Sequence, residues 1–479
     1  MPNGSSIRPA LAALAALVLA IPSARAQTAP MGGLSDVDRA LADAIFEELV
    51  EIPSVSETPE TVRAAEAMAA RLEAAGFPDE DVRVVTLESG AGNLLARYRG
   101  TDADAPPILL MAHLDVVDAR PEDWSTDPFE RVEDDGWWYA RGTNDNKAGA
   151  SILIANFLRW KDAGWVPSRD LIILLTGDEE TTSGGVKWAV TEGLEWMGRK
   201  PALALNTDAG GGQLGPDGDE LMHGVQTSEK VYFTFRLETT NPGGHSSRPR
   251  PDNAIYALAR GLQRVADHRF PVALNETTRA FLQRSAAFEA DPATAADMRA
   301  AAADPSDLEA AERLAAASSY HNALLRTTCV ATRLEAGHAD NALPQTARAT
   351  VNCRVLPGED LDAVEADLAR VLADSAISIA RVNVPTESPP SPLAPEVMGP
   401  IEALTGEFWP GVPVVPVMST GATDGLYARN AGIPVYGVTA IFEDPEDARA
   451  HGRDERIEIE RYFEALEFWR RMVEAIAGP

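Results

Sequence analysis

Between Asp36 and about Gly224, short apolar runs alternate with stretches whose apolar positions recur every three or four residues. The runs predict strands over Asn93–Tyr98, Pro107–Ala112, Leu171–Thr176 and Ala202–Asn206. The periodic stretches predict helices over Val37–Glu51, Glu60–Ala75, Ala148–Asp162 and Gly185–Glu192. Strands separated by helices predict an α/β fold, a mostly parallel sheet covered on both faces. Functional groups in such sheets gather at the carboxyl ends of the strands.

Near Val225 the pattern changes. Val231–Glu238 alternates like a half-exposed strand, Asn253–Ala266 is helical, and Thr328–Glu335 and Thr346–Val355 alternate again. A helix over Asp360–Ala373 and a strand over Ser375–Asn383 complete the order of a ferredoxin-like α+β unit. An Ala-rich, acidic insert at about 274–319 interrupts it and predicts extra helices. Beyond the Pro-rich link Ser388–Pro395, a helix at Val397–Phe408, strands near Val414–Val417 and Val435–Val438, and the amphipathic Ile459–Ile476 return to the first pattern. The expected layout is therefore a larger domain over 27–224 and 389–479, with a smaller domain over 225–388 inserted into it.

The 479 residues are 45% hydrophobic and 24% charged, which excludes disordered, collagen-like and multi-span membrane chains. A net charge of −31 repels phosphate backbones and anionic lipid, so neither nucleic acid nor a membrane surface is an expected partner. Two cysteines exclude a disulfide scaffold or a Cys-built zinc finger. At the start, Arg8 precedes the apolar run Ala10–Pro22, and Ala24-Arg25-Ala26 offers small residues at both positions a signal peptidase reads. Residues 1–26 are thus expected to be a signal peptide and the mature protein to be exported, periplasmic or secreted. An uncleaved anchor is the other reading of the same run.

Three of the apolar strands end in chemistry. Ile108–Ala112 runs into His113-Leu-Asp115, which puts the two polar side chains on one strand face. Leu171–Thr176 delivers Asp178-Glu179-Glu180, and Ala202–Leu205 leads to Asp208 before a run of glycines. Asp145 lies in the turn Gly142-Thr-Asn-Asp145-Asn-Lys before a helix, and His451 follows an acidic loop near the C-terminus. Each has an ordinary explanation alone: a hydrogen-bonded histidine, a helix cap, a solvated acidic turn. Together, two histidines and several acids at neighbouring strand ends form the nitrogen and oxygen set that suits zinc. Adjacent Glu179 and Glu180 point apart, so one can ligate a cation while the other stays free as a base.

These motifs, with Gly243-Gly-His245-Ser-Ser and Gly421-Ala-Thr-Asp424, resemble the co-catalytic di-zinc exopeptidase and amidohydrolase family. That family contains glutamate carboxypeptidase, succinyl-diaminopimelate desuccinylase, aminoacylase-1, carnosinase and yeast carboxypeptidase S. The resemblance runs from about Asp36 to Phe468 and looks most like the carboxypeptidase S branch, through Asn322–Thr328 and the long insert. It implies two zinc ions per chain, with cobalt or manganese as substitutes. His113 and Asp208 would bind one, Glu180 and His451 the other, and Asp145 both. It further implies that Asp115 orients His113, that Glu179 is the general base, and that His245 reaches the scissile carbonyl from the lid. Asn341, Arg354, Gly421, Thr423 and Asp424 match segments that hold the substrate's carboxylate end. The inserted domain would be a lid through which a homodimer can form, a geometry the bulky insert puts in question. The expected substrate is a small peptide cut at its C-terminal residue, or else an N-acyl amino acid. A solute- or zinc-binding receptor is the rival class; the Glu179–Glu180 pair argues against it, because binding needs no free base beside a ligand.

The remaining histidines, His223, His268, His321 and His338, are read as surface or lid residues, and Trp124, Trp137 and Trp138 as packing or a pocket wall. Folding the two central lid strands about residue 341 sets Cys329 opposite Cys353. Export permits a bridge between them; two unpaired core thiols are the alternative.

Overall fold

The computed structural model describes residues 34–478. The expected signal peptide lies outside the described residues. Ten strands form the larger sheet, whose middle sets Leu171–Thr176, Ile108–His113, Leu203–Asn206 and Val435–Gly437 side by side. These four are parallel, with His113 level with Thr176 and Met111 level with Asn206. Their carboxyl ends therefore open onto one edge. The sheet is mixed, because Gly92–Tyr98 runs antiparallel to Leu171–Thr176, and Gly211–Leu214 antiparallel to Glu220–Glu229.

The near-continuous apolar runs follow from burial on both faces. Ile108, Leu110 and Ala112 pack into a core with Phe46, Phe157 and Trp469 from the flanking helices Asp36–Val50, Lys147–Ala163 and Ile459–Ala477. Leu109 and Met111 point the other way, toward Val186, Ala428 and Ile433. Each fully buried aliphatic side chain contributes about 1.5–3 kcal/mol, so the strands that carry the site have little freedom to shift.

The second sheet has four antiparallel strands in the order Thr328–Ala336, Thr346–Val355, Val231–Thr240, Ile377–Arg381. This is the ferredoxin-like arrangement. Val231, Phe233, Phe235 and Leu237 face a core shared with helices Ala254–Asp267 and Leu361–Leu372, while Tyr232 on the opposite face is exposed. Cys329 stands directly opposite Cys353, and the two form a disulfide. The insert folds as four helices, Glu276–Ser285, Pro292–Ala303, Leu308–Ala317 and Ser319–Leu325. Their core includes Val415 and Met418, so they are joined to strand Val414–Ser419 of the larger sheet.

Two readings of single residues resolve here. Trp138 is buried against Phe46 and Tyr462, and Trp137 stacks on Arg456 at 4.0 Å, so both serve packing. His223, expected at the surface or on the lid, is instead wholly buried. It sits on strand Glu220–Glu229 with its ring edge-on to Trp409 and Phe468 and its Nδ1 2.8 Å from Thr405 Oγ1. Those aromatics lie some two hundred residues away in the chain, and nothing around His223 in the sequence announces them.

Candidate active site

Strand ends supply the first half of the site. His113 closes Ile108–His113, and its Nδ1 donates to the Asp115 backbone carbonyl at 2.9 Å. That bond leaves Nε2 as the free nitrogen facing the acids, which is the tautomer a metal ligand needs. Nε2 lies 2.9 Å from Asp145 Oδ1 and 3.4 Å from Asp208 Oδ1. Asp208 is two residues beyond Leu203–Asn206, its amide hydrogen-bonded to Asn206 Oδ1. The second half rests on loops. His451 Nε2 lies 2.9 Å from Glu180 Oε1 and 3.1 Å from Asp145 Oδ2. Asp145 thus presents one oxygen to each histidine.

The three successive acids part ways. Asp178 turns back to accept from Thr182 Oγ1 and the amides of Gly184 and Gly185, which starts the helix Gly184–Ala189. Glu180 meets His451. Glu179 enters a narrow cleft with His113, Asn206, Asp208 and Asp424 and belongs to neither histidine group. Asp115 acts on both sides at once. Its carbonyl holds His113, while its carboxylate, 3.5 Å from His113 Nδ1, accepts from Ser56 Oγ at 2.7 Å and from the amides of Glu179 and Glu180 at 3.1 Å. Burial pushes the Asp115 carboxyl up, but hydrogen bonds from His113, Ser56 and the Glu180 amide outweigh it and hold it low.

The electrostatics are those of a site built for cations. Burial pushes Asp208 up to about 6, and burial followed by the charge of Asp208 raises Glu179 well above the usual carboxyl range. Burial opposes charge on His113, yet Asp208, Asp115 and Asp145 outweigh it and raise the imidazole. Hydrogen bonds to Asp145 and Glu180 lift His451 to about 10. Each trio, His113–Asp145–Asp208 and Asp145–Glu180–His451, offers ligand atoms within 4.8 Å of one another. Acids outnumber imidazoles in this cluster, and ions held between them remove that repulsion. The residues fit a pair of metal ions sharing one carboxylate.

The remaining expected site residues form two separate groups. Arg354 Nη1 donates to the Thr420 carbonyl at 3.2 Å, beside the turn Gly421–Asp424. Within that turn Thr423 bonds Glu229 through both its amide and its hydroxyl, and Asp424 accepts from Thr176 Oγ1 at 2.5 Å. Burial pushes Asp424 up to about 8. His245 and Asn341 meet elsewhere, where Gly244–His245 pairs with Ala342–Leu343 and the Ser246 amide donates to the Asn341 carbonyl. Both are exposed, the His245 ring is bonded to Ser247, and among the described residues neither side chain hydrogen-bonds to the histidine–acid cluster.

Two buried carboxylates that support the site carry no motif of their own in the sequence. Glu229 pairs with buried Arg429 and anchors Thr423. Glu455 accepts four hydrogen bonds from the Asp145 turn. An acid four residues after His451 was the available signal for the second.

Residues 109–475 match the family described as Peptidase family M20/M25/M40. The human N-fatty-acyl-amino acid synthase/hydrolase PM20D1 is 29% identical over 382 residues, covering 78% of this chain and 75% of that protein. A probable carboxypeptidase S-like 2 of Dictyostelium discoideum is 25% identical over 80% of this chain and 74% of that protein. In fold, the chain is similar to an M20 family metallo-carboxypeptidase, Sso-CP2 of Sulfolobus solfataricus, with a TM-score of 0.66 at 18% identity, covering 91% and 99% of the two chains. The match to the family takes in every histidine and acid of the cluster, and the chain belongs to peptidase family M20/M25/M40 as a metal-dependent hydrolase.

Proposed function

We propose that this hydrolase holds two zinc ions and cleaves an amide bond next to a free carboxylate, releasing an amino acid from a small peptide or an N-acyl amino acid. The observation that carries the reading is the shared Asp145 between two histidine–acid groups, with Glu179 beside them and in neither. In this reading His113 and Asp208 would hold one ion and Glu180 and His451 the other, with Asp145 offering an oxygen to each. Bound there, the ions would supply the Lewis acidity that lowers the pKa of water to about 7 and polarises a carbonyl. Glu179 takes the proton from the attacking water and passes it to the leaving amine. Its crowded, buried setting raises its proton affinity above that of an ordinary carboxylate. Arg354, beside the Gly421–Asp424 turn, grips the substrate carboxylate in a fork that Lys cannot form. His245 and Asn341 approach from the inserted lid domain, in a homodimer from the second copy, and His245 donates to the developing oxyanion.

The N-acyl side of the proposal draws on the likeness to the human synthase/hydrolase, and the peptide side on the likeness to the carboxypeptidase S-like protein. Export to the periplasm or medium is proposed from the first 26 residues alone. A hydrolysis screen of N-acyl amino acids against unblocked dipeptides, with zinc, cobalt and manganese added separately, tests the reading. Substrates with a free α-carboxylate are expected to turn over, and their amidated counterparts are not. Absence of turnover in either class by a two-zinc protein would refute it.

A further inference from the structure

Glu455 is fully buried, and its carboxylate is spent on one short segment of chain. One oxygen accepts from Arg141 Nη1 at 2.6 Å and the Gly142 amide at 3.0 Å. The other accepts from the amides of Asn144 and Asp145 at 2.8 and 3.0 Å. The same segment is tied to the Glu455 loop in reverse, since the Ala140 amide donates to the Glu455 carbonyl and Arg141 Nη2 to the Gly452 carbonyl. Gly452 and Glu455 follow His451 by one and four residues on the same loop. The turn bearing Asp145 and the loop bearing His451 are therefore fastened to each other by a buried ion pair and its hydrogen bonds, in addition to the pairing of Arg456–Glu458 with Trp137–Tyr139 and the bond from Asn144 Nδ2 to Glu443.

The two histidine groups depend on that fastening unequally. His113 and Asp208 are placed by central strands whose apolar side chains pack into a core on each face of the sheet. His451 has no strand or helix of its own, is half exposed, and reaches Glu180 and Asp145 only through the position of its loop. We propose that Glu455 is a positioning residue for the Asp145–Glu180–His451 metal group. It sets the distance between Asp145 and His451, and with it the affinity of the second ion. The inference rests on the two-zinc reading above. Replacing a group that supports a metal ligand typically weakens metal binding roughly 10–100-fold.

The test uses the zinc-loaded full chain and two variants, Glu455→Gln and Glu455→Ala. Gln keeps the volume but turns an acceptor into a donor, so two of the four N–H groups lose their partner. Each protein is dialysed against a graded zinc buffer, and bound zinc is counted by elemental analysis beside a melting curve. The expected result is that Glu455→Gln keeps one tight zinc, binds the second roughly 10–100-fold more weakly, and regains turnover when zinc is raised. Glu455→Ala should show the same split more strongly. Wild-type affinity for both ions in Glu455→Gln would overturn the proposal. So would equal weakening of both ions in step with the melting temperature, which is what mere loss of fold does. Wild-type protein that saturates at one zinc would instead sink the two-zinc reading, and is read from the control alone.

Discussion

The two histidine groups share Asp145 yet are built in opposite ways. His113 is sealed at the end of a central strand, with 1% of its side chain exposed, and Asp208 follows the neighbouring strand. His451 stands on a loop with 53% of its side chain exposed. The first group inherits its geometry from sheet register and core packing. The second is assembled from loops, through Asp115 holding the Glu179–Glu180 amides and Glu455 holding the Asp145 turn. One active centre thus combines a half made rigid by burial with a half that stays accessible to solvent and substrate.

The largest effect is expected where the halves meet. Glu179→Gln should lower turnover about 10²–10⁴-fold while both metal equivalents remain, because Glu179 belongs to neither group. Near-normal kcat in that variant would mean the base is elsewhere. Next come the histidines themselves. His113→Ala takes the counter-charge from partly buried Asp208 and one of the two imidazoles from Asp145, and should cost on the order of 3 kcal/mol of stability in the metal-free protein. His451→Ala should cost no more than about 1 kcal/mol, since an exposed pair contributes little, and should lose one metal equivalent. Equal melting shifts would erase the distinction between the halves. A chelator sharpens the same contrast kinetically: one equivalent, from the His451 side, should leave before the other, and a single release phase for both would contradict it.

The smallest effect isolates burial from charge pairing. His223 is buried like His113 but has no acid beside it, and burial alone pushes its pKa down to about 3. The folded value lies below the unfolded value of about 6.5, so the unfolded chain binds more protons between them. The stability this gives is fully present above about pH 6.5 and is lost as pH falls toward about 3. At pH 5 the loss is roughly 2 kcal/mol, and His223→Gln should flatten that part of a melting-temperature profile. An unchanged profile would show that acid unfolding is governed by other groups.

Legibility in the sequence followed the same divide. Strand runs that are apolar on both faces and then stop at His113, Glu179 or Asp208 are readable because burial dictates composition at every position. The antiparallel inserted sheet was readable from its alternation, down to the facing of Cys329 and Cys353. Asp115 was found but its task was wider than expected: its carboxylate serves two amides, and backbone amides leave no trace in a sequence. Glu455 and Glu229 went unseen for the same reason, since their partners are N–H groups and arginines hundreds of positions away. His223 is not legible as a core residue because its aromatic neighbours arrive from two distant helices, Trp409 at the end of Pro395–Phe408 and Phe468 within Ile459–Ala477.

The reach of the cluster along the chain bears on when activity begins. Glu180 and its partner His451 are 271 residues apart. Synthesis proceeds from the N-terminus, and domains fold as their segments emerge. A nascent chain complete through Asp208 already carries His113, Asp145, Glu179 and Glu180, yet has neither His451 nor the carboxylate that steadies the Asp145 turn. Under the proposed ligand roles, both histidine–acid groups are complete only when the final stretch docks, so products that stop short of His451 are expected to lack the second group.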